Sequence, residues 1–198
     1  MRASAYVLRN VIYNATYSPF KLHNHTMGIY LFHNTCFKKE NGFNMHPADE
    51  SVTNVMTRNN LFLCSGGRGL DASTPNIKDQ NFDNDGYGGF GTFALWNGKY
   101  SYKTMEDAKK DKKIYFERGA ILVNPKTCFM KGTMAPTDEN KIYSFNEIDF
   151  RLAPTSDAID KGVVLPNFND GFKGKAPDLG AIEFDDKIPE YGPRPEKK

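Results

Sequence analysis

One pattern recurs three times in the first third of the chain and constrains the fold more than any other feature. In each copy, apolar residues lead to an Arg or a His, an asparagine follows, and the copy ends on an aromatic residue. The asparagines stand at positions 10, 34 and 59, which gives intervals of 24 and 25 residues. A repeat of this length is typical of one coil of a solenoid. The three copies are residues 6–13, 30–37 and 55–62.

The residues around each asparagine favour β-strands, because Val, Ile, Tyr, Phe and Leu crowd there. Each strand is too short to bury its apolar face alone. Coils stacked about 4.8 Å apart would pair it with equivalent strands above and below. Asparagine tolerates the left-handed backbone of a tight turn, and its amide can donate to the next asparagine in the stack. We therefore predict a structural ladder of Asn10, Asn34 and Asn59.

Beyond residue 65 the repeat fades, and the sequence predicts a less regular end to the solenoid. We expect coils over residues 1–130, with a long inserted loop region at about 65–103, and a closing segment with an extended Pro-rich tail over 131–198. Thr104 and the acidic residues after it predict one short helix over 104–111. The expected class is all-β, a parallel β-helix with three clear coils and irregular C-terminal coils.

Composition narrows the class of protein and the kinds of partner. Hydrophobic residues make up 39% of the chain, enough for a core, and the mean hydropathy of −0.60 fits an elongated fold. A net charge of +2 gives no general attraction to nucleic acid or to a membrane surface. Cys36, Cys64 and Cys128 have no metal-binding spacing, and their odd number argues against a disulfide framework.

The end of the chain carries a more specific signal. Residues 149–162 read Asp-Phe-Arg-Leu, a proline turn, and then Ser-x-Ala-Ile-Asp-x-Gly. Three further segments belong to the same signal: residues 83–87, 165–183 and 191–195. These segments resemble the C-terminal portion of secreted bacterial right-handed parallel β-helix proteins of the pectate-lyase-like class. The resemblance implies a polysaccharide lyase, a glycoside hydrolase, an esterase or a carbohydrate-binding protein. It also implies a secreted or periplasmic location.

The start of the sequence differs from the start of proteins in this class. Those proteins are usually longer and begin with a signal peptide and capped N-terminal coils. Here the sequence begins inside a coil, and its first residues do not form a signal peptide pattern. We therefore expect a C-terminal fragment of a longer protein. Unpaired edges on the first coil would associate with the missing N-terminal coils or with a second copy of the chain.

A row of basic groups is the leading candidate for substrate binding. Arg9, His33 and Arg58 each precede a repeat asparagine, so we predict that they line one outer face at coil spacing. Such a stripe could hold the carboxylates of an anionic polysaccharide, and a lyase would need a cation and a base in that arrangement. The alternative is a solvated stripe that is paired with nearby acids.

Further candidates lie in three loops. His25 and His46, with His23 nearby, could act as acid–base groups beside a groove, or as metal ligands, or could simply be exposed loop residues. Asp83 and Asp85 resemble the start of a calcium loop, but the twelfth position is Thr92 rather than Glu. We expect no cofactor, with calcium at Asp83 and Asp85 as the alternative.

Two functions remain open from the sequence. The first is a carbohydrate-active β-helix protein that binds or cleaves an extracellular, anionic polysaccharide, with lyase chemistry favoured over hydrolysis. The second is a non-catalytic segment that caps or stabilises a larger β-helix protein, or that serves it as an interaction module.

Overall fold

The computed structural model describes residues 4–22, 25–45, 52–73, 77–144 and 146–188. They form a parallel β-solenoid of about three turns with two short helices, which confirms the predicted β-helix. No helix among them is long and apolar enough to cross a membrane. The Pro-rich tail predicted at the end of the chain lies outside the described residues.

The strands of the solenoid are two to seven residues long. Lengths of this kind are expected where each coil turns after every strand. In chain order they are β1 Ala5–Leu8, β2 Val11–Tyr13, β3 Met27–Phe32, β4 Thr35–Phe37, β5 Phe43–Asn44, β6 Val52–Arg58, β7 Leu61–Leu63, β8 Arg68–Ala72, β9 Ile77–Lys78, β10 Asn81–Phe82, β11 Gly86–Gly88, β12 Thr92–Trp96, β13 Tyr100–Tyr102 and β14 Ile121–Leu122.

Three sheets run along the solenoid. The first has the order β1-β3-β6-β10, with β9 also paired to β6; the second is β2-β4-β7-β11-β14; the third is β5-β8-β12-β13. Strand pairing is parallel except between β12 and β13, which are antiparallel. The register stacks equivalent residues of successive coils, so that Tyr6 pairs with Tyr30, and Tyr30 pairs with Met56.

Inward-facing aromatic and aliphatic side chains fill the interior of the coils. Phe43 and Phe62 stack with ring centroids 4.8 Å apart, and Phe62 lies 5.5 Å from Tyr87 in the next coil. All three are fully buried. Aromatic contacts in the interior therefore add to the free energy gained from burial of apolar surface.

The structure differs from the prediction at residues 65–103, where we expected a long inserted loop. Strands β8 to β13 lie in this region and continue the coils. Glycines replace apolar residues here because neighbouring backbone comes too close for a side chain. A Cβ at Gly88 would collide with the carbonyl oxygen of Val123, and one at Gly89 with that of Cys64. The apolar repeat therefore fades in the sequence while the coil continues.

The predicted helix is present as α1, Met105–Lys110. Thr104 accepts a hydrogen bond from the backbone N–H of Asp107, and the Asp107 carboxylate accepts one from the N–H of Thr104, which completes a capping box. Met105 and Ala108 are buried in the solenoid core, so α1 covers the apolar end of the last coil. A second short helix, α2, spans Pro125–Cys128 and leads into a 3₁₀ turn at Met130–Gly132.

After α2 the chain folds back along the outer face of the second sheet. We call residues 129–144 and 146–184 the C-terminal segment. It covers the outward-facing Phe37, Leu61 and Leu63 with apolar side chains that form a second core. It reaches the first coil, where the Tyr13 hydroxyl donates to the carbonyl of Met134 at 2.9 Å. The predicted closing segment thus spans the coils from last to first. The covering side chains include Phe129, Phe150, Leu152, Leu179 and Ala181.

Candidate functional site

Side-chain amides form a ladder through the turn between the first two sheets. The Oδ1 of Asn34 accepts from the backbone N and Nδ2 of Asn10, both at 3.0 Å. The Oδ1 of Asn60 accepts in the same way from Asn34, both at 2.9 Å. The ladder ends at Asp85, whose Oδ1 accepts from the backbone N and Nδ2 of Asn60, both at 2.8 Å. A carboxylate has no donor, so the ladder stops there.

Asn60 therefore takes the place that the sequence predicted for Asn59. Asn59 is instead equivalent to Arg9 and His33, and these three residues share a left-handed backbone with φ between 52° and 58°. The physical reason is the length of the coil. Positions 34 and 60 differ by 26 residues, one more than the coil length assumed from the sequence, and two adjacent asparagines conceal the extra residue.

Because of this one-residue shift, Arg58 does not align with Arg9 and His33 as the predicted basic stripe required. Arg58 pairs with Phe32 rather than with His33, so it belongs to the outer face of the first sheet and not to the turn. Its guanidinium donates to the carbonyl of Asn81 at 2.9 Å and to the side-chain oxygen of Asn81 at 2.7 Å. Arg9 occupies the turn, where it donates to the carbonyl of Ala181 at 3.2 Å.

His33 is buried beneath the C-terminal segment rather than exposed on an outer face. Its Nε2 lies 3.0 Å from Nδ2 of Asn59 and 2.9 Å from Nδ2 of Asn169. Both amides are donors, so Nε2 is an acceptor and the ring is neutral. Burial lowers the pKa of His33 to about 4, and the charge of Arg9 acts in the same direction. The ring fastens the C-terminal segment to the solenoid and is shielded from a substrate.

The candidate metal ligands Asp83 and Asp85 are both used by protein donors. Asp85 is buried in the core, where its Oδ2 accepts from the hydroxyl of Thr57 at 2.5 Å. Asp83 accepts from the backbone N of Gly119 at 2.6 Å and from the hydroxyl of Tyr115 at 3.0 Å. Among the described residues, no group of three His, Cys, Asp or Glu side chains is arranged to hold a metal ion.

A buried carboxyl pair lies at the end of the ladder. Glu117 lies close enough to Asp85 for their charges to interact, and the hydroxyl of Tyr87 donates to Oε1 of Glu117 at 2.7 Å. Both carboxyls are fully buried. Burial raises the pKa of both groups, and the charge of Asp85 raises that of Glu117 further. The protonated form of Glu117 is therefore favoured more than that of an exposed carboxyl.

Of the loop histidines proposed as acid–base groups or metal ligands, only His25 belongs to the described residues. His25 is exposed in the turn before β3 and has a φ of 56°. His23 and His46 lie outside the described residues.

An aromatic surface on the first sheet was not predicted from the sequence. Tyr6 and Tyr30 project outward from adjacent coils and stack with centroids 4.8 Å apart. Phe168 of the C-terminal segment packs against Tyr6 at 5.6 Å and edge-on against Phe32 at 5.2 Å. Tyr6 remains 55% exposed and Phe168 38% exposed. The aromatic rings therefore form a partly open surface on the outside of the solenoid.

A cleft of about 340 Å³ adjoins this surface, and Phe168 belongs to both. Arg9 comes from the first coil, while the rest of the lining comes from residues 167–171, 181–183, 186 and 187. We call the cleft and the adjoining rings of Tyr6 and Tyr30 the aromatic cleft. Its polar lining includes Arg9, Asn167, Asp170, Glu183, Asp186 and Lys187.

One sequence signal pointed toward this surface. Tyr6 and Tyr30 occupy the same position of the repeat, so stacking of the coils requires them to be neighbours. The contribution of Phe168 has no local signal, because it depends on how the C-terminal segment folds back over the coils.

Comparison of the chain with protein-family models, with curated proteins and with solved structures finds no match.

Proposed function

We propose that this chain is a carbohydrate-binding β-helix protein and that the aromatic cleft is its sugar-binding site. The observation that carries the proposal is the position of Phe168, which joins the outward Tyr6–Tyr30 stack to a cleft with a polar lining. Binding sites for small polar ligands combine apolar or aromatic walls with a few polar groups that fix orientation.

The chemistry of a sugar suits both parts of the aromatic cleft. One face of a pyranose ring presents C–H groups, which pack against aromatic rings such as Tyr6 and Phe168. Its hydroxyl groups donate and accept hydrogen bonds, so they match a carboxylate such as that of Asp170 and an amide such as that of Asn167. The Tyr6–Tyr30 stack runs from one coil to the next, which provides a surface for more than one sugar unit.

Binding is favoured over cleavage by the state of the groups that were expected to act as catalysts. A lyase needs a base that reaches a substrate proton and a cation beside the substrate carboxylate. His33 is buried and accepts from two amides, and Arg9 is paired with Glu183 at 3.4 Å. The described residues therefore support recognition of a glycan more than lyase chemistry.

Two further features concern the location of the protein and its second candidate function. The resemblance of residues 149–162 to exported β-helix proteins supports a secreted or periplasmic location. Within the described residues, the outer edge of β1 pairs with no other strand, which supports the second candidate function, in which the chain is a structural or interaction segment that associates with further coils or with a second copy.

The proposal is tested by affinity electrophoresis of the folded chain in gels that contain one polysaccharide each. A panel of xylans, glucans, mannans, pectate and alginate covers neutral and anionic polymers. Retardation by at least one polymer is expected, and it should be lost in Phe168→Ala. Equal mobility in every gel would contradict carbohydrate binding.

A further inference from the structure

We infer that the aromatic cleft takes neutral sugar units in preference to uronates. This inference rests on the proposed function and concerns the same site. Its basis is that two cations beside the cleft, Arg9 and Lys173, are already paired with carboxylates of the protein.

Arg9 is paired at the place where the C-terminal segment packs against the first coil. Its Nη1 donates to the carbonyl of Ala181 at 3.2 Å, and its Nη2 lies 3.4 Å from Oε1 of Glu183. Glu183 is only 5% exposed, and its Oε2 also accepts from the backbone N of Asp178 at 3.0 Å. A substrate carboxylate that took Arg9 would leave the buried Glu183 without its cation, which carries a large penalty.

The remaining charges of the cleft lining are one carboxylate and one cation. Asp186 is paired with Lys173 at 2.5 Å on the protein surface. Asp170 is exposed, and its Oδ2 accepts from the backbone N of Asn167 at 2.9 Å. With Arg9 paired to Glu183 and Lys173 paired to Asp186, the lining is left with Asp170 and Lys187, so it carries no net positive charge to attract an anion. A uronate would meet the negative charge of Asp170 close to the aromatic rings.

A neutral sugar meets the same groups without this repulsion. The exposed carboxylate of Asp170 can accept from sugar hydroxyls, and hydrogen bonds to a charged acceptor are stronger than those between neutral groups. The rings of Tyr6 and Phe168 supply apolar contact that is independent of charge. The site is therefore complementary to hydroxyl-rich, uncharged units.

The test measures binding of the full chain to neutral xylan, glucan and mannan oligosaccharides and to oligogalacturonate by isothermal titration calorimetry. At least one neutral oligosaccharide should bind more tightly than oligogalacturonate, with an affinity that changes little with salt. Asp170→Asn should raise the affinity for oligogalacturonate by about tenfold, because it removes one nearby like charge. Asp79→Asn, at an exposed carboxylate in the turn between β9 and β10, is the matched control and should not change it.

The outcomes separate this inference from the function on which it rests. Tighter binding of oligogalacturonate than of every neutral ligand, with loss of that binding in Arg9→Gln, would overturn the neutral preference and leave carbohydrate binding intact. An unchanged oligogalacturonate affinity in Asp170→Asn would also overturn the preference as argued from charge. Absence of binding to every oligosaccharide would reject both proposals.

Discussion

The side-chain oxygen of Asn60 accepts two hydrogen bonds from Asn34, one from its backbone N and one from its Nδ2, both at 2.9 Å. Both side chains are fully buried. The Nδ2 of each also donates to the carbonyl of an inward strand residue, Leu31 for Asn60 and Val7 for Asn34. The amides thus satisfy the polar backbone of the turn inside an apolar core.

Replacement of Asn60 by leucine should reduce the free energy of unfolding by about 3 kcal/mol, because it leaves buried N–H and C=O groups without partners. Asn10→Leu is the matched control. Asn10 is the exposed first member of the ladder and donates to Asn34 without accepting from another ladder residue among the described ones. Its loss should cost about 1 kcal/mol. Urea denaturation of both variants measures the two losses in the free energy of unfolding. Equal losses would contradict a larger contribution from the buried part of the ladder than from its exposed end.

The raised pKa of the buried Glu117 makes stability depend on pH. The folded pKa of Glu117 lies above its unfolded value, so its contribution is complete below pH about 4.5 and is lost as the pH rises through the folded pKa. Glu117→Gln removes the ionisable group and keeps an acceptor for the hydroxyl of Tyr87. We expect the variant to be more stable than the wild type by about 1–2 kcal/mol at pH 8 and to lose less stability between pH 5 and 8.

Urea midpoints across this pH range measure the effect of Glu117→Gln. Glu106→Gln is the control, since Glu106 is exposed in the first turn of α1. A wild-type slope retained in Glu117→Gln would contradict a raised pKa of Glu117 as the source of the pH dependence.

His33 makes stability depend on pH in the opposite sense. Its folded pKa of about 4 lies below the ordinary value of 6.5, so its contribution is present above pH 6.5 and is lost as the pH falls toward 4. Protonation would convert Nε2 into a donor that faces the donor amides of Asn59 and Asn169. An NMR titration of the imidazole should give a midpoint near 4 for this ring, and a midpoint above 6 would contradict its burial beneath the C-terminal segment.

Much of the fold could be predicted because the repeat is a physical requirement of stacked coils. Equivalent apolar residues must stack, so Tyr6 and Tyr30 fall at equal positions and indicate the period. The prediction was wrong by one residue at Asn59, because coils differ in length and adjacent asparagines satisfy the pattern equally well. Glycines such as Gly88 hid the later coils, since close backbone contacts exclude the apolar side chains that mark a repeat.

The candidate site was less predictable because its walls are distant in sequence. Arg9 was identified as a binding residue, and it does line the cleft, but its pairing with Glu183 depends on the path of the C-terminal segment. The same path covers His33 with Asn169 and brings Phe168 against Tyr6. No local pattern near position 168 marks these contacts, which arise only when the segment packs on the second sheet.

The most direct test of carbohydrate binding at the aromatic cleft compares Tyr6→Ala with Tyr17→Ala in calorimetric titrations with the tightest-binding oligosaccharide. Tyr6 is 55% exposed on the outer face of the first sheet; Tyr17 is 73% exposed in the turn after β2. We predict that Tyr6→Ala weakens binding by about tenfold or more, given the contribution of one aromatic contact, and that Tyr17→Ala retains the wild-type affinity. Unchanged affinity in a folded Tyr6→Ala would contradict a sugar site at the aromatic cleft.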